Sequence, residues 1–279
     1  MGDGPPRLVM VGTPIGNLGD LSPRAVQALA AADVVACEDT RRTGRLLAHA
    51  GVRAPELVRL DDHTEESLAP VLVRRVLGGE VVAVVTDAGM PAMSDPGSRI
   101  VAAAVQGGVT VEVVPGPFAA AVAAVASGLL DPSGRFCFEG FLPRKGPARR
   151  ERLQALVGER RAVVLYEAPH RLARTVADLC EALGADRGVA LCRELTKLHE
   201  EVWRGTLAGA VERCDDVEPR GEYVVVLEGA PAPPDVDDDV IRAALAVELA
   251  AGATRRDAAA AVAARHGIAP NRVKRLLTS

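Results

Sequence analysis

Short uninterrupted apolar runs alternate with longer segments of mixed polarity along the first half of the chain. Leu8-Val9-Met10-Val11 ends in Gly12 and a loop rich in Pro, Gly and Asn follows. Ser22-Pro23 then opens a helix to about Ala32, with serine at the N-cap and proline at the first helical position. The order of strand, loop and helix recurs. Asp33 to Cys37 is apolar and strand-like, Thr43 to Ala50 is helical, and Val81 to Val85 is a continuous run suited to a parallel strand buried on both faces. Val111 to Val114 follows a helix-like segment and closes the series. Alternation of this kind with short connections predicts an α/β domain over roughly residues 7–117.

A second series begins after Leu130. Phe136 to Phe141, Ala162 to Tyr166, Val189 to Cys192 and Tyr223 to Leu227 read as strands, with helices near Arg149–Val157 and Arg171–Leu183, which makes a second α/β unit. The stretch from Gly229 to Asp239 has the proline-rich, acidic composition of a semi-rigid linker. Beyond it, Val240 to Ala251 is helical, Thr254 N-caps a helix to about His266 with Gly267 at its end, and Pro270-Asn271 opens a last helix to Leu277. The domains expected are therefore 1–118, 119–231 and 232–279. Three short helices with a glycine turn fit a helix-turn-helix whose last helix is basic through Arg272, Lys274 and Arg275. They fit a plain three-helix cap equally well.

Composition narrows the class. Of 279 residues, 48% are hydrophobic and 3% aromatic, so the core is aliphatic. The net charge of −4 means that a nucleic-acid partner must be held by a local basic patch. Cys37, Cys137, Cys180, Cys192 and Cys214 form no CxxC pair and leave one odd, which argues against a disulfide framework or a zinc site. Leu8 to Val11 is too short for a signal peptide, and the Ala-rich stretch Phe118 to Leu130 is too short for a membrane span, so it reads as a buried helix. A cytoplasmic protein with no membrane partner is expected.

Three loops at strand C-termini, where open α/β sheets bind ligands, carry unusual sequences. The first, Gly12 to Asp20 (GTPIGNLGD), fits neither the dinucleotide nor the P-loop fingerprint. The second, Thr86 to Gly97 (TDAGMPAMSDPG), follows the Val81–Val85 run, and the third is Pro115-Gly116-Pro117. Glycine and proline there allow rigid, close approach of backbone to ligand, and Asp87 can accept hydrogen bonds; each loop alone is also an ordinary turn.

Together with Cys37-Glu-Asp-Thr-Arg41, Gly140-Phe-Leu-Pro-Arg-Lys-Gly146, Tyr166-Glu-Ala-Pro-His-Arg171 and Arg193 to Glu201 (RELTKLHEE), these loops resemble the signature set of the ribosomal small-subunit RNA methyltransferase I family, in order along nearly the whole chain. That family belongs to the tetrapyrrole methylase superfamily. The resemblance implies two α/β domains of tetrapyrrole-methylase type with S-adenosylmethionine in the cleft between them, plus the small C-terminal helical unit. It implies methylation of a cytidine 2′-hydroxyl in 16S small-subunit ribosomal RNA, within the small ribosomal subunit or as free RNA, and a homodimer. Carried onto this sequence, the cofactor set is Pro14, Asp87, Ala88, Gly89, Ser94, Pro115, Ser127 and Tyr166. Met90 and Met93 stand where the family pattern leads one to expect Thr and Ile.

Methyl transfer from a sulfonium is an in-line displacement that depends on alignment and on an acceptor for the hydroxyl proton. His170, Asp39, Glu194 and Lys197 are the catalytic candidates. Each also has a structural reading: His170 as a helix-start residue, Glu194 with Lys197 as an i, i+3 ion pair, Asp39 as a partner of Arg41 or Arg42. For RNA, Arg144, Lys145, Arg149, Arg150 and Arg152 follow Phe136, Phe138 and Phe141, joining phosphate-binding charge to stacking rings, although Phe136 and Phe138 alternate as core residues do. Arg41, Arg42 and Arg171 extend the RNA-binding set. Two further readings stay open: a corrin or porphyrin methylase, and a non-catalytic RNA-binding ribosome assembly factor.

Overall fold

A computed structural model describes residues 6–53, 55–231 and 236–277. Five strands, β1 (Arg7–Val11), β2 (Val34–Cys37), β3 (Glu56–Arg59), β4 (Val81–Val85) and β5 (Val111–Val114), form an all-parallel sheet in the order β3-β2-β4-β1-β5. Alternate residues of these strands feed two cores. Leu8, Met10, Val34, Val82 and Val84 pack under helices α3 (Glu65–Leu77) and α4 (Ser98–Gln106), while Val9, Val11, Val35 and Val81 pack under α1 (Pro23–Ala30) and α2 (Thr40–His49). Burial on both faces is why β4 has no polar residue: each buried valine contributes roughly 1.5–3 kcal/mol, and a polar residue on either face would be stranded.

Helix α5 (Ala119–Ser127) leads into a second sheet made of β6 (Phe136–Phe141), β7 (Ala162–Glu167), β8 (Gly188–Arg193), β9 (Glu201–Thr206) and β10 (Tyr223–Leu227), ordered β6-β7-β10-β8-β9. β6 and β7 run parallel; the other neighbours run antiparallel. The alanines of α5 lie on Val164, Ala190, Val224 and Val226. The opposite face, Val163, Leu165, Leu191 and Val225, is covered by α6 (Pro147–Leu156), α7 (Pro169–Leu183) and α8 (Leu207–Asp216). Small alanines let α5 approach its sheet closely, which accounts for the alanine-rich apolar stretch.

The chain divides into two compact units at Ala230/Pro231, with both sheets in the first. In the second, α9 (Asp238–Ala250), α10 (Arg255–His266) and α11 (Pro270–Leu276) bury Ile241, Leu245, Val262 and Val273 together. Thr254 Oγ1 accepts from the Asp257 amide at 3.2 Å, and Gly267 ends α10 in the left-handed conformation. Among the described residues no helix is long and apolar enough to cross a membrane.

Several elements depart from the sequence pattern. β3 and β9 are edge strands with half-exposed faces, so neither shows a clean apolar run. α3 carries Pro70 in its interior and α8 mixes its polarity, and the pattern predicted neither. α2 starts earlier than expected, at Thr40, because the Asp39 side chain accepts from the Arg41 and Arg42 amides. The acidic stretch read as linker is partly helical: Asp237 caps α9, and Asp238 and Asp239 occupy its first turn, where negative charge suits the helix dipole. Residues 232–235 of that stretch lie outside the described residues.

Candidate active site

β1, β4 and β5 are neighbours, so the loops that follow them emerge side by side. They are bonded to one another. Thr13 and Gly89 exchange backbone hydrogen bonds at 2.9 and 3.1 Å, Thr13 Oγ1 donates to the Thr86 carbonyl at 3.3 Å, and the Gly116 amide points to Met90 Sδ at 3.3 Å. Non-glycine residues Ala92 and Ser94 take left-handed φ values of 68° and 70°, strain that the surrounding contacts hold in place.

A cavity of about 350 Å³ opens between these loops and the second sheet. Its apolar walls include Ile15, Met90, Met93, Phe118, Phe141 and Tyr166. Its polar lining includes Asp95, Glu167, Lys197 and Glu222. A neighbouring cavity of about 480 Å³, lined by Pro14, Arg42 and Asp87, shares Ala88 and Lys197 with the first. Phe118, Phe138 and Phe141 form an edge-on aromatic chain through Tyr166, with ring centroids 4.9 to 5.6 Å apart.

The first cavity is electronegative. Burial, reinforced by Glu38, Asp62 and Asp87, pushes the Asp95 carboxyl up to about 7. Glu38 is raised likewise by burial and by Asp87. Burial pushes the Tyr166 phenol up to about 12 against a hydrogen bond from the Ala120 amide. Asp87 is itself bound, to Arg42 at 3.2 Å and to the Asp39 amide at 3.2 Å. Such a lining suits a ligand that is partly apolar and positively charged, and repels phosphate.

Lys197 is held from two sides, by Glu194 at 3.0 Å and Glu222 at 2.6 Å. Burial pulls its pKa down, but the two carboxylates outweigh burial and raise it, so Lys197 is a fixed cation and not a proton acceptor. Its loop is strained: Glu194 and Thr196 take φ of 49° and 67°. The loop presses on the first of the three loops so closely that a β-carbon at Gly16 would meet Lys197 Cγ at 2.4 Å.

The remaining expected residues separate. Pro14, Asp87, Ala88, Gly89 and Tyr166 line the two cavities. Ser94 does not; its hydroxyl faces Gly140, at the bulge in β6. Pro115 does not line either cavity, although Gly116 beside it packs on Gly12. Ser127 lies at the far end of α5 from Phe118, where its hydroxyl donates to the Ala124 carbonyl at 2.7 Å. Asp39 caps α2, which lowers its pKa chiefly through the Arg41 amide.

His170, expected at the cleft, instead joins Arg144, Lys145 and Arg174 around a separate basic pocket of about 500 Å³, because α7 turns it to the other side of Pro169. Arg149 is buried, bonded to Asp178 at 2.7 Å, Thr175 at 3.0 Å and the Pro143 carbonyl at 3.0 Å, so it braces the fold and does not face solvent. Arg152 pairs with Glu139 at 3.0 Å, and Arg171 with Glu167 at 3.1 Å. Arg41, Arg144, Lys145 and Arg150 are exposed. Asp95 and Glu222 are cavity residues that the sequence pattern does not single out, whereas Met93 and Phe141, noted in the sequence for other reasons, also line it. Asp95 stands inside the second loop, but nothing in spacing separates a lining aspartate from a turn-forming one.

The family model of the tetrapyrrole (corrin/porphyrin) methylases matches residues 7–211. The ribosomal RNA small subunit methyltransferase I of Synechocystis sp. is 42% identical over 253 residues, 90% of each chain. That of Mycobacterium bovis is 46% identical over 262 residues, 93% of this chain and 90% of the relative. Among solved structures, a Thermus thermophilus uroporphyrin-III C-methyltransferase complexed with S-adenyl homocysteine superposes with a TM-score of 0.59 at 21% identity, covering 80% of this chain and 97% of that one.

Proposed function

The chain belongs to the ribosomal RNA small subunit methyltransferase I family of the tetrapyrrole methylases, and from that membership we propose that it transfers a methyl group from S-adenosylmethionine to the ribose 2′-hydroxyl of a cytidine in 16S small-subunit ribosomal RNA. The observation that carries the reading is the convergence of Ile15, Ala88, Gly89, Tyr166 and Lys197, spread over most of the chain, on one electronegative, aromatic-walled cavity. The cavity fits the cofactor on its own chemistry. Apolar walls suit an adenosyl group, and the excess of carboxylates over cations in the lining suits a cationic sulfonium. Bound there, S-adenosylmethionine supplies an electrophilic methyl group.

The protein's own contribution is orientation and exclusion of water. Ile15, Phe118 and Tyr166 form the dry side of the cavity, and Lys197, clamped by Glu194 and Glu222, fixes one polar end. The RNA approaches over the exposed cations Arg144, Lys145 and Arg150, with His170 and Arg174 at the same pocket and Phe141 at the rim, 52% exposed, available to stack on a base. Arg41 and Arg42 extend the positive surface beside Asp87. The electronegative cavity next to this basic surface sorts a cationic methyl donor from an anionic acceptor. A cytoplasmic homodimer acting on the small ribosomal subunit completes the reading.

The test is transfer of tritiated methyl from S-adenosylmethionine to assembled small subunits and to free small-subunit RNA, with the product digested and its nucleosides identified by mass. Recovery of 2′-O-methylcytidine is expected. Incorporation into neither acceptor, with cofactor binding intact, would defeat the RNA assignment.

A further inference from the structure

We propose that Asp95 is a catalytic residue, the acceptor of the proton that leaves the attacking ribose hydroxyl; the proposal rests on the methyl-transfer reading above. Three carboxylates line the cavity, and two are occupied. Glu167 is fully buried and bonded to Thr175 at 2.6 Å, the Ala168 amide at 2.9 Å and Arg171 at 3.1 Å. Glu222 is bound by Lys197 at 2.6 Å. Asp95 is half-buried, and among the described residues no donor reaches its carboxyl oxygens. A carboxylate removed from water without a donor is costly, so this position is built for a donor that arrives with the substrate.

The groups facing Asp95 set its basicity. Burial, then Glu38, Asp62 and Asp87, raise its carboxyl to about 7, and Tyr166 opposite is uncharged at that pH. An ordinary aspartate is too weak a base to help a hydroxyl; one half ionised near neutrality is matched to the task. The other candidates are committed: Lys197 stays protonated between Glu194 and Glu222, Asp39 caps α2, and His170 faces the basic pocket. In the step, the ribose oxygen forms its bond to the methyl carbon as the carbon–sulfur bond breaks. The O–H electron pair stays on oxygen, the proton passes to an Asp95 oxygen, and the products are the 2′-O-methyl nucleotide and S-adenosylhomocysteine. Asp95 then returns its proton to solvent.

The experiment compares wild type with Asp95→Asn, which removes an unpaired charge and is therefore expected to fold. Single-turnover methyl transfer to assembled small subunits is followed across pH, cofactor affinity is measured by calorimetry, and the aspartate carboxyls are titrated by carbon-13 NMR in the protein without ligand. The wild-type rate should rise with unit slope to a plateau whose midpoint lies at or below that of Asp95 in the ligand-free protein, because a bound sulfonium favours the carboxylate. Asp95→Asn should lower that plateau about 100-fold or more, flatten the profile and leave cofactor affinity within about twofold. A carboxyl resonance titrating near 7 should vanish in the variant. A variant rate within about threefold of wild type, a loss that disappears at saturating cofactor, or the absence of that resonance each overturns the proposal. If wild type transfers no methyl to any RNA, the enzymatic reading fails and takes the proposal with it; a failure of Asp95 alone leaves that reading standing.

Discussion

Gly12 and Gly116 lie backbone to backbone, so close that a β-carbon on Gly12 would fall 2.5 Å from the Gly116 nitrogen and one on Gly116 would fall 2.7 Å from the Gly12 carbonyl carbon. Both obstructing groups are main chain and cannot swing aside. Gly116→Ala should therefore cost about 2 kcal/mol or more in urea unfolding and should weaken S-adenosylmethionine binding, because separating the loops displaces Met90 from the cavity wall. Gly44→Ala, at a helical site with open space around it, is the control and should be neutral or slightly stabilising.

Glu65, on α3, caps a helix that is not its own. Its buried Oε1 accepts from the amides of Gly97 and Arg99 at 2.9 Å and of Ile100 at 3.2 Å, supplying α4 with the side-chain cap that Gly97 lacks. Glu65→Ala should destabilise by about 3 kcal/mol, Glu65→Gln by less, since a single oxygen makes all three bonds. Hydrogen exchange should quicken at the amides of Gly97, Arg99 and Ile100 in the alanine variant.

Arginines of one cluster should behave in opposite ways. Arg149→Ala removes the 2.7 Å partner of Asp178 and the brace to Thr175 and the Pro143 carbonyl, and should cost about 3 kcal/mol of stability, seen as a lower urea midpoint. Arg144→Ala with Lys145→Ala should leave that midpoint unchanged and weaken binding to small-subunit RNA. The salt slope of that binding should fall by about 1 for each phosphate no longer neutralised.

Asp95 links stability to pH. Its folded pKa of about 7 lies above the ordinary aspartate value of 3.8, so the folded state holds its proton more tightly, and the relative stabilisation present below the unfolded pKa is lost as pH rises through the folded one. Asp95→Asn should therefore be more stable than wild type above neutrality by roughly 2 kcal/mol after allowance for solvent screening, a gain of several degrees in Tm. The difference should shrink as the pH falls from about 7 toward 4 and be negligible below it. Thermal scans at the two ends of that range measure it.

The strands of both sheets were legible wherever both faces are buried, because a strand such as Val81–Val85 has no polar position to confuse the pattern. β3 and β9 were not, since each carries two charged residues in a short span, unlike the edge strands β5 and β6 with one, and α3 hides behind Pro70. The three loops were legible as chemistry because glycine and proline are concentrated there. Which of their residues face the cavity was not: Asp87 and Asp95 look alike in the chain, yet one is neutralised by Arg42 and the other has no donor among the described residues.

What the amino-acid sequence determines by itself is the alternation of elements, the aliphatic core, the family motifs and the local caps, all of which depend on neighbours within a few residues. Which groups are charged, paired or free depends on contacts between distant segments. Arg149 becomes a brace because Asp178 and Thr175, on α7, are brought to it, and Ser127 lines neither cavity because α5 carries it to the helix end remote from Phe118. Desolvation and pairing are long-range in sequence and short-range in space, so only the tertiary structure decides them.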